Sequence, residues 1–446
     1  MLAGARQGDR VDVISARMHA LLTPDYRDAV LWSEQAPPPQ TLPAALPHEA
    51  DVLVVGAGYC GLAAGAELAR RGRSVVVVDR DEPGAGASSR NGGMVLPELK
   101  WGPATLAGRL GDLGRRLFAA VDEAFDLVES LVGEGGIDCG YERSGQLYLA
   151  HNRRAVPGLR SLADEFRSIG HEAAVVEGDD LAAELGSSRF PAGLVLPRSG
   201  GLHPARFHAG LRRRAEAAGA AVHPRTTVLG LEPRPSAGVT VRTDRGPVAA
   251  GDVLFATNAY VDGAAPRLRR RVLPLGSFII ATEPLDADLA ASLIPRRRMC
   301  FDTKNLLWYW RLGPEGRLLF GGRKALGRVG LAAARDHLYA SMLEVHPRLQ
   351  GVRVARAWGG LVALTRDRLP HCGRIDGAWY ATGCNGSGVA LNTWLGQRMA
   401  AAICGEPLPP FAELPHPVVP LHRARSLYLP AVSAWYQLRD RRGGRA

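Results

Sequence analysis

The chain has 446 residues and 46% of them are hydrophobic, which is enough to build the buried cores of two or more globular domains. The formal charge is +11, but the arginines that supply it are scattered and no nucleic-acid-reading module accompanies them, so we expect no nucleic-acid partner. No apolar run reaches the ~20 residues that span a bilayer, and the six dispersed cysteines form neither a disulfide framework nor a metal site, so we predict a cytoplasmic protein with no membrane partner.

The first 49 residues are predicted to form a leader. They contain a short helical pattern and then a proline-rich stretch from Pro37 to Pro47. Because proline donates no backbone hydrogen bond, we expect this stretch to stay outside the sheets.

The segment from Asp51 to Asp79 is typical of a dinucleotide-binding βαβ unit. An apolar strand leads into a turn with Gly56, Gly58 and Gly61, then into a helix and a second strand that ends at Asp79. The first glycine allows the tight turn, the second lets the backbone approach a pyrophosphate, and the third lets the helix pack on the strand. The helix N-terminus then faces the phosphates. A carboxylate at Asp79 binds a ribose diol and repels a 2′-phosphate, which favours FAD or NAD over NADP.

After Asp79 the predicted elements form an insertion, and later elements rejoin the βαβ unit. A turn-rich segment from Gly84 to Gly93 precedes a helical pattern from about Pro103 to Val132. Strands and helices between residues 145 and 185 are predicted to form an insertion. A helix at 204–219 and three later strands, near 221–231, 239–243 and 252–256, are predicted to rejoin the first unit.

The second half contains a set of strands and then another glycine-rich turn. Strands are predicted at 272–282, around 300, at 306–311, 317–321, 359–363 and 378–381, with a helix at 332–343. The turn from Gly383 to Gly388 leads into a helix from Val389 to Cys404. Its N–H groups and positive helix end suit the electron-rich pyrimidine edge of a reduced flavin, and an ordinary helix cap is the alternative.

Five motifs make the chain resemble the D-amino-acid oxidase superfamily of FAD-dependent oxidoreductases, and within it the γ-glutamylputrescine oxidase branch. The resemblance spans about Leu31 to Tyr436. The motifs are DVLVVGAGYCGL (51–62), GAGASSRNGG (84–93), FATNAY (255–260), WGGLVALTRDRLPHCGR (358–374) and GCNGSGVAL (383–391).

The resemblance implies an α/β (α+β) fold. Its two parts are a Rossmann-type FAD-binding domain, of the glutathione-reductase-2-like type, and a discontinuous antiparallel-sheet substrate domain. On this chain the FAD-binding domain is predicted at 50–98, 195–262 and 355–405, and the substrate domain at 99–194 and 263–354. The leader (1–49) and a C-terminal extension (406–446) lie outside both.

The resemblance also implies the cofactor and its contacts. The cofactor is FAD, with its pyrophosphate at the first glycine turn, its ribose at Asp79 and its adenine at the backbone of Val228. Arg90, Asn91 and Gly92 are implied on the flavin side. The full set of predicted cofactor-binding residues is Gly56, Gly58, Gly61, Asp79, Arg80, Ser88, Arg90, Asn91, Gly92, Val228, Gly360, Gly386, Ser387, Gly388 and Val389.

Departures from the family pattern carry further expectations. Ser89 stands where the family has a glycine, and Ser387 stands where a histidine is common. Relatives with covalent flavin use a histidine at the position of Arg90 or a cysteine at that of Gly360, so we expect non-covalent FAD. Oxidases of free amino acids have a carboxylate-clamping arginine where this chain has Val362. An unpaired carboxylate in a dry pocket costs about 2–5 kcal/mol, so we expect an amine substrate without an adjacent carboxylate.

Tyr309 and His371 are the predicted catalytic residues. Strand alternation in Trp308-Tyr309-Trp310 sends the tyrosine to one face and both tryptophans to the other, so one face can cover the flavin. His371 lies in a predicted turn, Pro370 to Gly373. The alternatives, core packing for the tyrosine and a structural hydrogen bond for the histidine, stay open.

Other side chains are weaker candidates. Trp101 is a second aromatic candidate for the substrate site, and Glu98 and Asp302 are carboxylates that could pair with a cationic amine. The lysine that assists the reaction with oxygen in sarcosine-oxidising relatives aligns with Leu319, so the acceptor is O2 or another electron acceptor. Cys60, although at a helix N-terminus, is interpreted as a packing residue.

The leading prediction is an FAD-dependent amine oxidase or dehydrogenase that gives an imine, which hydrolyses to an aldehyde. γ-Glutamylputrescine or a related amine is the candidate small-molecule substrate. Two alternatives remain: an amino-acid or sarcosine-type oxidase with a relocated carboxylate clamp at Arg311 or Arg323, and a tRNA-associated flavoprotein. A monooxygenase reduced by NADPH is disfavoured because no second dinucleotide motif occurs. The sequence leaves the oligomeric state open.

Overall fold

The computed structural model describes residues 21–39, 44–234 and 238–442. Its strands are β1 (Leu22–Arg27), β2 (Glu49–Val55), β3 (Val75–Val78), β4 (Met94–Val95), β5 (Gln146–Leu149), β6 (Ala174–Val176), β7 (Gly193–Leu196), β8 (Gly200–Gly201), β9 (Ala221–His223), β10 (Val228–Pro233), β11 (Val239–Thr243), β12 (Gly246–Phe255), β13 (Leu273–Thr282), β14 (Met299–Asp302), β15 (Trp308–Leu312), β16 (Leu318–Gly322), β17 (Val354–Leu364), β18 (His371–Ile375) and β19 (Ala378–Thr382). Its helices are α1 (Leu31–Gln35), α2 (Tyr59–Arg70), α3 (Pro103–Leu110), α4 (Asp112–Val132), α5 (Val156–Arg167), α6 (Gly178–Glu184), α7 (Pro204–Ala217), α8 (Pro266–Arg269), α9 (Ala287–Leu293), α10 (Leu331–Val345), α11 (Gly388–Ile403) and α12 (Arg425–Arg442).

An eight-stranded sheet carries the first glycine turn. Its order is β10-β11-β12-β2-β3-β9, with β19 paired to β12 and β18 paired to β19. β2 and β3 are parallel, and residues 52–55 of β2 and all of β3 are apolar runs, as expected for strands covered on both faces. All four valines of β3 are buried. The parallel strands direct their C-terminal ends to one edge of the sheet, where ligands bind in such folds.

Helices α2 and α11 pack closely against each other on this sheet. A Cβ atom added at Gly396 of α11 would lie 2.2 Å from the backbone oxygen of Cys60 in α2. Only glycine permits that approach, so the helix that follows the second glycine turn rests directly on the helix that follows the first. The two turns are thereby held in one region of the molecule.

A nine-stranded sheet forms the other half. Its order is β1-β17-β13-β16-β15-β14-β5-β7-β6, and most neighbouring pairs are antiparallel. Trp310 and Phe320 are fully buried between this sheet and its covering helices and stack with their ring centroids 5.6 Å apart. These side chains belong to one core, whereas Tyr148, Leu194 and Phe301 of the same sheet lie in the large core that also includes the valines of β2 and β3.

Part of the leader, predicted as a segment outside both domains, joins a sheet. Residues 22–27 form β1, which pairs in parallel with β17 at the edge of the nine-stranded sheet, and Trp32 of α1 is fully buried. In β1, Thr23 is buried, and Leu22 and Tyr26 are half-buried and pack against the core of the nine-stranded sheet. The prolines at 37–39 lie in no strand, whereas residues 1–20 and 40–43 of the leader lie outside the described residues.

Three further boundaries differ from the predictions. The helical pattern at 103–132 is two helices, because Gly111 adopts φ 60° between them. β17, expected in the FAD-binding domain from residue 355 onward, pairs with β13 in the nine-stranded sheet. The segment after residue 406, expected as an extension, contains α12. The division into domains otherwise stays a prediction.

Candidate functional site

One cavity of about 640 Å³ is lined by residues of both sheets. This volume lies in the range of roughly 300–1,000 Å³ that is usual for small-molecule sites. Most of the predicted cofactor-binding residues line it, namely Gly56, Gly58, Asp79, Arg80, Ser88, Arg90, Asn91, Gly92, Val228, Gly360, Gly386, Ser387, Gly388 and Val389. The catalytic candidate Tyr309 lines it as well, whereas Gly61 and His371 are not among its lining residues.

The first glycine turn presents a helix end to this cavity. Gly56 adopts φ +103°, which side chains disfavour, and Gly58 is the N-cap of α2 with no side-chain cap. A Cβ atom on Gly58 would lie 2.9 Å from Ser88 Oγ, which accepts the N–H of Tyr59 at 3.1 Å. Gly61 acts behind the turn, since its Cβ would lie 1.8 Å from the oxygen of Gly56. The turn thus leaves a positive helix end open to an anionic ligand.

Asp79 holds the turn from the end of β3. Its Oδ2 accepts the Ala57 N–H at 2.7 Å, and its Oδ1 accepts the Asp81 N–H at 3.0 Å. Burial raises the pKa of Asp79 above its usual range, and the two backbone N–H donors oppose that rise. A carboxylate has about four lone-pair positions, so two remain for the hydroxyls of a ribose.

The second glycine turn presents another helix end to the same cavity. Asn258 Oδ1 accepts the Gly383 N–H at 3.0 Å, and Gly386 adopts φ +108°. Ser387 is the N-cap of α11, but its side chain does not cap the helix. Its hydroxyl instead donates to Glu98 Oε1 at 3.2 Å, and Lys100 Nζ lies 3.8 Å from the same oxygen.

These features fit FAD. The cofactor has an anionic pyrophosphate and an electron-rich pyrimidine ring, and the cavity offers two separate helix N-termini whose N-cap residues form no side-chain cap. Asp79 stands at the end of the strand where an adenosine ribose is expected. A chain with bulkier residues at Gly56, Gly58 and Gly386 could not keep these turns open.

Tyr309 lies where the nine-stranded sheet meets the glycine-rich segment 84–93. Its ring packs over Gly321 and Gly92, where added Cβ atoms would lie 2.3 Å and 3.3 Å from ring atoms. Its hydroxyl is 3.1 Å from Ser277 Oγ, and burial raises the pKa of Tyr309. Trp308 and Trp310 point into the core on the other face, as the alternation predicts. Tyr309 is therefore a neutral phenol at the cavity wall.

His371 is placed away from the cavity. It begins β18 rather than a turn, because residues 371–375 pair with β19. Its Nε2 lies 3.0 Å from Asp367 Oδ1, and its ring stacks on His416 with centroids 4.0 Å apart. The prediction of His371 as a catalytic residue is therefore corrected, and its contacts are those of the structural alternative.

Of the weaker candidates, some line the cavity and others do not. Trp101 and Glu98 line the cavity, and Trp101 stacks beneath the guanidinium of Arg109, 4.0 Å from its ring centroid. Asp302 is fully buried behind the cavity wall, with its Oδ2 3.4 Å from Lys304 Nζ, and burial raises its pKa to about 6. Leu319 is buried in a small core cluster and does not line the cavity.

The two arginines considered as relocated clamps have different surroundings. Arg311 donates to the backbone oxygens of Gly92 at 2.7 Å and Leu202 at 2.6 Å, so its charge is used in holding the fold. Arg323, one residue after β16, lines the cavity. Its Nε is buried, and no described residue accepts a hydrogen bond from it.

Helix α12 contributes cavity residues that the sequence analysis did not assign. Tyr428, Leu429, Val432 and Tyr436 line the cavity. The helix is anchored by Asp440, whose carboxylate accepts the backbone N–H groups of Asn305 and Leu306. The spacing of Leu429, Val432 and Tyr436 is that of one helix face, so this signal was present in the sequence.

The remaining chemistry-bearing residues add no second centre. All six cysteines are free, and burial raises the pKa of Cys60 to about 12, which agrees with its interpretation as a packing residue. Within residues 21–39, 44–234 and 238–442 no group of side chains could hold a metal ion. In the same ranges, no helix combines the length and apolar character that crossing a membrane requires.

Comparisons with known proteins agree with FAD as the cofactor. A sequence model of the family described as "DAO: FAD dependent oxidoreductase" matches residues 51–402. The chain is 33% identical over 403 residues to γ-glutamylputrescine oxidoreductase of Escherichia coli strain K12, covering 88% of this chain and 93% of the relative. It is 31% identical over 421 residues to the probable oxidoreductase OrdL of Rhizobium meliloti strain 1021, covering 92% and 97%. The solved glycine oxidase of Geobacillus kaustophilus has the same fold, with a TM-score of 0.72 and 22% identity over 83% of this chain and all of that chain.

Proposed function

Because the chain belongs to the DAO family of FAD-dependent oxidoreductases, which act on the C–N bonds of amines and amino acids, we propose that its substrate is a small amine such as γ-glutamylputrescine. FAD is the cofactor. The proposed reaction transfers a hydride from the carbon next to nitrogen and gives an imine, which water converts to an aldehyde. The electron acceptor in this proposal is O2 or another oxidant.

One observation carries the proposal. The cavity lined by both glycine turns continues to a wall made by the nine-stranded sheet, so there is room for a bound flavin and a small substrate in the same cavity. That wall contains the phenol of Tyr309 and the apolar side chains of Leu361 and Val362. Oxidation of an amine needs a C–H bond that is positioned next to the flavin, and in this proposal the wall provides that position.

The chain's own residues have defined parts in the proposal. When bound, FAD supplies the hydride acceptor. Tyr309, fixed between Gly92 and Gly321, positions the substrate, and Glu98 supplies a negative charge near the second glycine turn. Val362 offers no charge to a carboxylate next to the reacting carbon, which favours an amine whose reacting carbon bears none.

An anaerobic amine screen tests the proposal. The FAD-loaded protein is mixed with primary and secondary amines, including γ-glutamylputrescine, and loss of the flavin absorbance is followed. We expect at least one amine to bleach the flavin within seconds to minutes. If dithionite bleaches the flavin but no amine does, the substrate class is wrong.

The same FAD-loaded protein is used to identify the electron acceptor. Once an amine has reduced the flavin, air or an artificial dye is added and the return of the absorbance is timed. Rapid recovery in air identifies an oxidase, whereas recovery only with the dye identifies a dehydrogenase.

A further inference from the structure

Helix α12 and the turn before it expose several large apolar side chains. Seven such side chains are exposed among the described residues, and four of the seven lie between residues 421 and 438. They are Leu421, Leu427, Trp435 and Leu438, with exposed fractions of 75%, 80%, 48% and 43%. A single exposed leucine is ordinary, whereas a group of large apolar side chains on one part of the surface indicates that this part binds a partner.

On α12 the exposed apolar residues form one continuous stripe, which we call the outer stripe. Its members recur at intervals of three and four residues, as neighbours on one side of a helix do. They are Leu427, Pro430, Ala431, Ala434, Trp435 and Leu438, and all six are exposed. Because a helix rises ~1.5 Å per residue, the outer stripe is about 17 Å long.

The opposite side of α12 is apolar as well, and the protein covers it. Val432 and Tyr436 pack on the buried cluster that contains Leu429 and Leu326. Ser433 Oγ accepts the N–H of Leu326 at 3.3 Å, so the helix is fixed with this side inward. A helix that is apolar on all sides is normally buried on all sides. The outer stripe is therefore the half of α12 whose cover does not come from the described residues.

Arginines lie at the C-terminal end of the outer stripe. Arg441 is exposed and follows Leu438 by three residues, so both lie on the same side of the helix. The guanidinium carbon of Arg439 lies 4.8 Å from the ring centroid of Trp435. Asp440 does not offset these charges on the outer side, because its carboxylate accepts backbone N–H groups on the inner side. The charge presented at this end is positive.

The N-terminal end of the outer stripe is positive as well. Arg423, in the turn before α12, is exposed, and so are Arg269 and Arg270, at the end of α8. Burial lowers the pKa of His422, in the same turn, and the positive charge of Arg425 lowers it further. The charges of Arg269 and Arg270 act on His422 in the same direction. Arginines from two separate segments therefore lie together beside the start of α12.

The charges at both ends of the outer stripe decide which partner fits it. If two copies of the chain packed stripe to stripe, arginines would meet arginines in either orientation, and like charges oppose association. An anionic lipid bilayer is complementary to both features. Trp and Leu side chains enter the boundary between headgroups and acyl chains, and arginines beside them reach the lipid phosphates.

We propose that the outer stripe of α12 docks the protein on the surface of an anionic lipid bilayer. The sequence led us to expect no membrane partner, because no apolar run is long enough to span a bilayer, but a helix that lies among the headgroups needs no such run. Because the inner side of α12 lines the cavity, the docked protein holds its cavity beside the bilayer. This inference does not depend on which amine is the substrate.

Vesicle flotation tests the docking. The FAD-loaded protein is mixed with vesicles of phosphatidylcholine alone, or with vesicles in which about one lipid in four is phosphatidylglycerol. We expect the partition coefficient for the anionic vesicles to exceed that for the neutral vesicles by about tenfold or more. The bound fraction should fall as the salt concentration rises from about 0.05 M to about 0.5 M, because the charges are then screened. If the protein does not float with anionic vesicles at low salt, the proposal is wrong.

Two double variants assign the binding to α12. Leu427→Ser with Trp435→Ser should lower the partition coefficient for anionic vesicles by about tenfold or more, because two large apolar side chains no longer enter the bilayer. Arg423→Gln with Arg441→Gln should lower it by a similar factor, because each arginine near an anionic surface contributes to the attraction. The arginine variant should bind neutral vesicles like the wild type.

Matched controls make the same changes elsewhere on the surface. Leu229→Ser with Leu408→Ser replaces two exposed leucines outside α12. Arg213→Gln with Arg242→Gln neutralises two exposed arginines, in α7 and β11. Both control proteins should bind anionic vesicles like the wild type. If they lose as much binding as the α12 variants, the attraction is that of a basic protein in general, and the assignment to the outer stripe is refuted.

The fold and the oligomeric state are measured on the same proteins. Because all the substituted residues are exposed, the melting temperature and the FAD content should stay at the wild-type values. If Leu427→Ser with Trp435→Ser melts lower, its side chains pack within the protein, and the arginine variant then decides the test. Light scattering without vesicles should give that variant the same mass as the wild type.

A larger mass in the wild type, lost in the Leu427→Ser and Trp435→Ser variant, would show that a second copy covers the outer stripe, and it would overturn the proposal. None of these measurements requires turnover. A failed amine screen would therefore leave the docking proposal standing, and a failed flotation experiment would leave the proposed function standing.

Discussion

Gly61→Ala is the substitution for which helix propensity and tertiary packing predict opposite effects most clearly. In an isolated helix, alanine in place of glycine stabilises by about 1 kcal/mol. In α2, however, the new Cβ atom would lie 1.8 Å from the backbone oxygen of Gly56. Ordinary contact begins near 3.4 Å, so the two segments must separate by 3.4 − 1.8 = 1.6 Å.

That separation cannot be taken up by a side chain, because the obstacle is the backbone of the turn itself. Overpacking of a core costs about 1–3 kcal/mol, and a backbone obstacle places this site at the upper end. After subtraction of the helical gain, a net loss of about 2 kcal/mol remains. Since the displaced oxygen belongs to the first glycine turn, the loss should appear as weaker FAD binding, by about thirtyfold in Kd.

The assay is a fluorescence titration of the apoprotein with FAD, accompanied by a thermal melt. Gly108→Ala is the matched control, because Gly108 lies in helix α3, is exposed and would meet no atom within 4 Å. It should raise the melting temperature slightly and leave the Kd for FAD unchanged. If Gly61→Ala binds FAD as tightly as the wild type and melts no lower, the assignment of Gly61 to close helix–strand packing is refuted.

Three further outcomes follow from the site. Acid precipitation of the holoenzyme should leave the yellow colour in the supernatant, because the FAD is expected to be non-covalent, and a coloured pellet would contradict this. Tyr309→Phe should slow flavin reduction by a saturating amine by about tenfold, because one hydrogen-bonding group is lost. Tyr380 lies outside the cavity lining, so Tyr380→Phe should reduce the flavin at the wild-type rate. Equal rates for the wild type and both variants would show that Tyr309 has no part in the mechanism. Because burial raises the folded-state pKa of Asp302 from 3.8 to about 6, the native state binds the extra proton in this window and stability should fall as pH rises from about 4 to about 6. Urea unfolding of Asp302→Asn should show a flatter pH dependence than the wild type, and parallel curves would exclude this effect.

The candidate site was predictable where the residues of one short segment specify the backbone conformation of that segment. Both glycine turns contain their special backbone positions and the start of the following helix within about ten residues. Most of the predicted cofactor-binding residues therefore line the cavity. The alternation of side chains around Tyr309 was also predictable from one segment, because successive side chains on a strand point to opposite faces whatever the partner strand is.

The predictions failed where a long-range partner decided the outcome. His371 was expected near the flavin, but pairing of β18 with β19 turns it towards Asp367 and His416. The leader forms β1 because β17, more than 300 residues later, offers it a free edge. Helix α12 reaches the cavity because Asp440 binds the backbone at Asn305 and Leu306.

The sequence by itself determined the cofactor class and the chemistry available to it, since glycine positions, strand ends and helix starts are local properties that the residues specify directly. Only the tertiary structure decided which charges near the cavity are already balanced. Arg311 and Arg323 are alike as residues, yet Arg311 donates to the oxygens of Gly92 and Leu202, whereas Arg323 lines the cavity with a buried Nε that no described residue accepts. Pairing depends on which distant groups the fold brings within about 3 Å, and a sequence read segment by segment contains no such distances.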